Sequence, residues 1–316
     1  MLAMCQRDQW AIDDLDWDVE PRALEPEQET AVCQYFTDMA GIELLAAELF
    51  KVQRSQTDDP LLREILASFV VDEERHSAVA RRLASHYDVH RYRDYEINRN
   101  LQRFRQPFVD AVHRLPPDIA TAYITTGELL LDVALLRSLD DYVDDEMSHR
   151  AMRLINRDES RHIAVDYHMV EFYSSPEYLD WLGSQPAQPL AERAEALLAL
   201  AVMLYRAGPC FRDVFFAPMD LTDPTGRRLR EAFKRIQLLG DRPGVAERPF
   251  SRFLALIRHL FNDPVVGGMF GPLLCRLIGL DPRVLVTLYS EEERDRFHAM
   301  SISDMAAEAV RAKYEA

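Results

Sequence analysis

A chain of 316 residues, 48% of them hydrophobic, has enough apolar surface for a sizeable core, which excludes disorder as its main state. Its 53 acidic residues against 37 Lys and Arg leave a net charge of −16, which repels phosphate backbones and anionic lipid heads and argues against nucleic-acid or membrane-surface binding. Cys5, Cys33, Cys210 and Cys275 stand far apart with no C-x-x-C clip, residues 1–20 lack a basic stretch leading into an apolar one, and no later run looks long enough for a membrane span; a reducing, cytoplasmic setting is expected.

Glycine is scarce, strand-like alternation is nearly absent, and apolar residues recur at three- and four-residue steps, so the chain reads as all-α. Residues 1–25 form an N-terminal arm. A first helix is expected from Pro26 to about Arg54, and Asp59-Pro60 supplies an N-cap and a first-turn proline for a second, to about Tyr87. Residues 88–115 make a crossing segment, helical in part. A third helix opens at Asp118 and runs to about Leu139; the cluster Asp140, Asp141, Asp144 and Asp145 turns the chain; a fourth helix runs to about Tyr173. Two hairpins joined by one long connection give the ferritin-like order of a four-helix bundle over residues 26–175. Residues 176–316 are punctuated by prolines, with helical patterns near 190–207, 225–239, 249–261 and 291–313, and are expected to pack as extra helices around the bundle.

The second helix contains Asp72-Glu73-Glu74-Arg75-His76 and the fourth contains Asp158-Glu159-Ser160-Arg161-His162, so D-E-x-R-H occurs twice. One E-x-x-H is a chance expectation in a chain this long, whereas two with the same Asp and Arg are not. Residues three apart on a helix lie about 60° apart in projection and about 4.5 Å along the axis, so each Glu/His pair can reach one metal. In the second helix Leu62, Leu66, Phe69, Glu73, His76, Ala80 and Leu83 form a core-facing stripe, and in the fourth Met152, Ile155, Glu159, His162 and Met169 do the same. Carboxylates directed inward are costly unless paired or metal-bound, so cations belong between them.

A hairpin brings its second helix level with a point equally far before the turn. Glu43 meets that test, 30 residues before Glu73 on the stripe Phe36, Ala40, Glu43, Ala47, Phe50; Glu48 is the reserve candidate. Glu128 lies 31 residues before Glu159 on the stripe Ile124, Glu128, Leu131, Leu135. Four carboxylates and two neutral imidazoles balance two divalent cations.

With this ligand pattern the chain resembles the ferritin-like diiron-carboxylate superfamily over residues 30–175, whose sites take one Glu from each of two helices and E-x-x-H from each of two others. The resemblance implies two iron ions, with manganese an alternative at one site, held by Glu43, Glu73, His76, Glu128, Glu159 and His162, with Glu73 and Glu159 bridging. It also implies that Asp72 and Asp158 hold the ligand histidines by hydrogen bonds, accompanied by Arg75 and Arg161. A ribonucleotide reductase small subunit usually has Asp where Glu43 stands and a radical Tyr where Ala80 stands; a ferritin subunit is about half this length. The chain is similar in length and motif to p-aminobenzoate N-oxygenases, but Ile155 occupies the place of their additional histidine ligand. Soluble acyl-carrier-protein desaturases share the doubled motif, the two-histidine site and a gap comparable to the 55 residues between Glu73 and Glu128.

The family implies an oxygenase using O2 and an external electron donor to oxidise C–H or N–H bonds of a small molecule; desaturation and non-enzymatic iron binding or oxygen scavenging are the alternatives. A homodimer is compatible with it. Asp132, one turn past Glu128, is either a further ligand or proton donor or a salt-bridge partner. Tyr123, Thr125 and Thr126 are candidates for lining an oxygen pocket. Arg227, Arg228, Arg230, Lys234 and Arg235 read as a solvated helix face, and Gly267, Gly268 and Gly271 form no phosphate loop because no G-K-[ST] follows.

Overall fold

The computed structural model describes residues 1–278 and 282–315, and every regular element among them is helical, with a helical bundle at the centre. After a short α1 (Leu2–Arg7) in the arm, the bundle is built from α2 (Pro26–Gln56), α3 (Pro60–Tyr87), α5 (Pro117–Leu129) and α7 (Glu146–Phe172). Proline opens α2, α3 and α5, where its missing N–H costs no helical bond. Asp59 Oδ1 accepts from Leu61 N at 2.8 Å and Leu62 N at 3.0 Å, fixing the start of α3 at the expected residue. The crossing segment carries α4 (Arg99–Arg114), whose face of Leu101, Phe104, Phe108, Ala111 and Val112 is buried.

The third bundle helix departs from expectation. After α5 the chain makes a wide π-helical stretch, Leu130–Leu136, before resuming as α6 (Arg137–Val143), so Asp140 and Asp141 are helical and the turn falls on Asp144 and Asp145 alone. Asp144 adopts φ 47°, a left-handed conformation that a short polar side chain tolerates and that stops the helix. Every residue of the π stretch is buried, because bundle helices flank it on one side and α11 (Arg227–Gly240) and α15 (Ile302–Glu315) on the other.

Beyond the bundle lie α8 (Pro176–Ser184), α9 (Leu190–Phe211), a second π stretch (Arg212–Phe216), α10 (Ala217–Thr222), α12 (Pro249–Asn262), α13 (Pro264–Ile278) and α14 (Glu291–Ala299). The pattern at 291–313 splits into α14 and α15, with Ser301 Oγ accepting from Asp304 N at 3.1 Å as the second helix begins. Neither α8 nor α13 was expected. In α13 Gly267 serves packing: a Cβ there would sit 2.5 Å from the Phe261 carbonyl oxygen. α9 lies along α4, and α15 along α7.

Two helical runs, Pro117–Val143 and Leu190–Thr222, are long and apolar enough to cross a membrane, which corrects the reading that no run is. The first is mostly buried in the core, whereas the second is mostly exposed. The basic stretch of α11 is also not a free solvated face. Arg228 pairs with Asp141, Lys234 with Glu293, and Arg235 with Glu231 and, at 3.1 Å, with Glu308, so these residues clamp α11 to α6, α14 and α15.

Candidate metal centre

The two D-E-x-R-H segments face each other across the bundle. Glu43, Glu73, His76, Glu159 and His162 are each 0% exposed and Glu128 is 4% exposed, all surrounded by apolar stripe residues. Each stripe has a three- and four-residue period, so the helix that buries Leu66, Phe69 and Ala80 necessarily carries Glu73 and His76 inward with them. Glu48 remains outside, paired with Arg105, and Glu74 pairs with Lys51 at 2.7 Å, which leaves Glu43 as the inward acid of α2.

Two groups of ligand atoms converge. Glu43, Glu73, His76 and Glu159 offer atoms within 4.8 Å of one another, as do Glu73, Glu128, Glu159 and His162. Glu73 and Glu159 belong to both groups, so either carboxylate could serve two ions at once. Both histidines turn Nδ1 to this centre: His76 Nδ1 lies 3.1 Å from Glu159 Oε1, and His162 Nδ1 lies 2.9 Å from Glu73 Oε1 and 3.1 Å from Glu159 Oε2. Both carboxylate oxygens of Glu43 and of Glu73, with Glu128 Oε2 and Glu159 Oε1, are buried without a hydrogen-bond partner. Unpaired buried carboxylate oxygens are costly, and a donor set of carboxylates and imidazoles at this spacing fits two hard-to-borderline divalent ions.

The electrostatics express the same deficit of positive charge. Burial, then the Glu159 charge, pushes Glu43 up to about 7 and holds Glu73 and Glu128 well above the carboxylate range. Burial alone would depress the histidines; bonds to Asp158 and Glu159 overcome it and raise His76 to about 10, while the Glu159 charge and Asp72 raise His162 to about 9. Without metal the pocket therefore gathers protons where cations belong.

Asp72 and Asp158 sit behind the histidines in a crossed arrangement: each serves the imidazole of the opposite helix. Asp158 Oδ2 on α7 lies 3.2 Å from His76 Nε2 on α3, and Asp72 Oδ2 on α3 lies 3.5 Å from His162 Nε2 on α7. Arg75 bridges the two aspartates, contacting Asp72 and donating to Asp158 at 2.9 Å. Arg161 donates to Asp158 at 2.7 Å and to Asp72 at 3.2 Å. Two buried aspartates and two arginines thus form a neutral lattice that fixes both imidazoles with Nδ1 toward the centre.

The sequence reading missed three contributors. Trp10, in the arm, donates its indole N–H to Asp158 Oδ2 at 2.7 Å and stacks on His76 at 6.4 Å between centroids, with the Arg75 guanidinium 4.9 Å from its ring centroid. Gln9 accepts from Arg75 at 2.6 Å. Asp166 continues the inward stripe of α7 one turn after His162, and both its oxygens are buried without a hydrogen-bond partner. Thr125 is its polar neighbour, but the Thr125 hydroxyl donates to Thr121 O at 2.9 Å. The stripe spacing was the available signal for Asp166; nothing local to residues 9–10 marks Gln9 or Trp10.

Asp132 is fully buried yet joins neither ligand group. Ile155 is buried beside the site, and no third histidine joins the ligand groups among the described residues. His149 is turned away, with Nδ1 2.9 Å from Asp140 Oδ1. No protein-family model matches this chain, and no curated protein matches it.

Proposed function

We propose that the chain binds two divalent transition-metal ions, iron by its donor set, and uses them to oxidise a small organic molecule with O2. The observation that carries the metal reading is the pair of four-residue ligand groups sharing Glu73 and Glu159, in which both Glu43 oxygens and Glu128 Oε2 are buried without a hydrogen-bond partner and Glu73 and Glu159 face only the two imidazoles that join them. Held by these residues, two irons would supply the reduction of O2 in an overall reaction that places one oxygen atom in a C–H or N–H bond and releases the other as water, taking two electrons from an external donor and two protons. The protein's part is to hold six ligands, keep water out with the Phe50 and Phe69 rings packed on His162, and fix each imidazole through the aspartate–arginine lattice. The two-histidine ligand set favours the carbon-oxidising side of the resemblance over three-histidine N-oxygenation.

Elemental analysis of protein produced with ample iron tests this directly: two metals per chain are expected, and Glu73→Ala, Glu159→Ala, His76→Ala and His162→Ala should each lose at least one. Zero metal before and after reconstitution overturns the reading. Reductant with O2 then separates the classes, since an oxygenase consumes O2 with substrate-dependent coupling and an iron store accumulates ferric mineral.

A further inference from the structure

Behind the ligand helix lies a second feature that the metal centre does not use. A cavity of about 280 Å³, partly open to solvent, lies between α4, α5, α9, α11 and α12, close to the lower size of ordinary ligand pockets. Its walls include Phe104, Phe108, Phe211, Phe233 and Phe250, rings that suit edge and face contact with another aromatic group. The charged or amide side chains at its edge are already committed. Arg258 donates to Asp241 at 2.7 Å, and Gln237 spends its amide on the Val284 and Val286 carbonyls and its oxygen on Leu288 N. Thr126 donates to Ala122 O at 2.8 Å. Tyr123 also lines the space, and burial is the one influence acting on its hydroxyl, with no hydrogen bond to it among the described residues.

One position keeps part of the wall bare. Gly127 lines the cavity, and a Cβ there would meet no atom within 4 Å, so any larger residue would project into the open space. A glycine inside a helix costs roughly 0.5–1 kcal/mol relative to alanine, and nothing packs closely enough on Gly127 to require it for folding. It is also the residue immediately before Glu128, so the emptied volume adjoins the turn of α5 that carries a metal ligand.

We propose that this cavity binds an uncharged aromatic molecule bearing at most one hydrogen-bonding group, with Gly127 keeping part of the wall bare and the Tyr123 hydroxyl the free polar contact. A carboxylate or ammonium would lose its hydration and find no uncommitted counter-charge among these walls. That the occupant is the substrate rests on the oxygenase reading; that the cavity binds it does not, because no metal ligand lines it.

The test is a fluorine NMR titration of the full chain, metal-loaded and metal-free, with 4-fluorophenol and with 4-fluorobenzoate as the charged counterpart. Saturable binding of the phenol at one per chain is expected in both forms, with the benzoate at least about tenfold weaker. Gly127→Phe and Ala207→Phe, which fill the cavity from opposite walls, should each abolish phenol binding. Ala207→Phe is on α9, away from the ligands, and should keep the wild-type metal content. Equal binding of the two probes, no binding of the phenol, or unchanged binding in a folded Ala207→Phe variant would overturn the proposal. Phenol binding in a protein that takes up no metal would leave the cavity assignment standing and remove the oxygenase reading alone.

Discussion

Asp158 carries more of the candidate metal centre's geometry than its counterpart in the other motif. It meets His76 at 3.2 Å, Trp10 at 2.7 Å and both arginines, and those bonds outweigh burial and hold its carboxyl well below the usual range. Asp72 stands farther from its histidine, at 3.5 Å, and in place of the indole it accepts a longer bond from Gln9 Nε2 at 3.3 Å. Asp158→Asn should therefore weaken metal binding by roughly 10- to 100-fold, and Asp72→Asn by less. Trp10→Phe removes one charge-assisted bond from Asp158 and should weaken metal binding in the same direction by a smaller factor. Metal titrations of the three variants check the order; equal affinities would mean that the lattice does not orient the imidazoles.

At the scale of the element, the first turn of α3 is capped by a single side chain, Asp59. Asp59→Ala leaves Leu61 N and Leu62 N without their acceptor and should cost about 1 kcal/mol in chemical denaturation. Metal stoichiometry should stay at the wild-type value, because more than two helical turns separate the cap from Glu73. A loss of metal in that variant would show that fraying reaches the ligands. The ligand-bearing α5 is different. Its continuation widens into a π stretch directly after Leu129, where α11 and α15 press on the outside of the bundle, so the C-terminal helices and the metal site share this wall.

Across the whole molecule, the buried Glu/His cluster makes stability depend on pH. In the metal-free protein Glu43 holds its proton up to about 7 against an ordinary 4.5, so it contributes stability at low pH that is lost as pH rises through that window. His76 and His162 are raised from 6.5 to about 10 and about 9, and their contribution, full below 6.5, is likewise lost as pH rises through those values. Both effects have one sign. Metal binding requires the same groups deprotonated and grows stronger with pH. The difference in Tm between metal-loaded and chelated protein should therefore widen from about pH 5 to about pH 8. Thermal denaturation with and without chelator checks this, and a constant gap would argue that the six residues do not act as ligands.

The sequence by itself determined the helical class, the Asp59-Pro60 start of α3, and the inward direction of Glu43, Glu73, His76, Glu128, Glu159 and His162. These follow from periodicity within one helix, which local backbone geometry fixes at 3.6 residues per turn. The same rule carried Asp166, whose place on the α7 stripe was readable though unread. Only the tertiary structure decided which aspartate serves which histidine, because that depends on how α3 and α7 are set against each other. It also decided that Trp10 reaches Asp158 across 148 residues of chain and that helices from the C-terminal half line a cavity behind Gly127. The π stretch has the same origin: Leu130–Leu136 reads as ordinary helix, and its widened turn appears where the wall is packed from both sides. Contacts between segments distant in sequence leave no period along the chain, so they become legible only once the helices are packed.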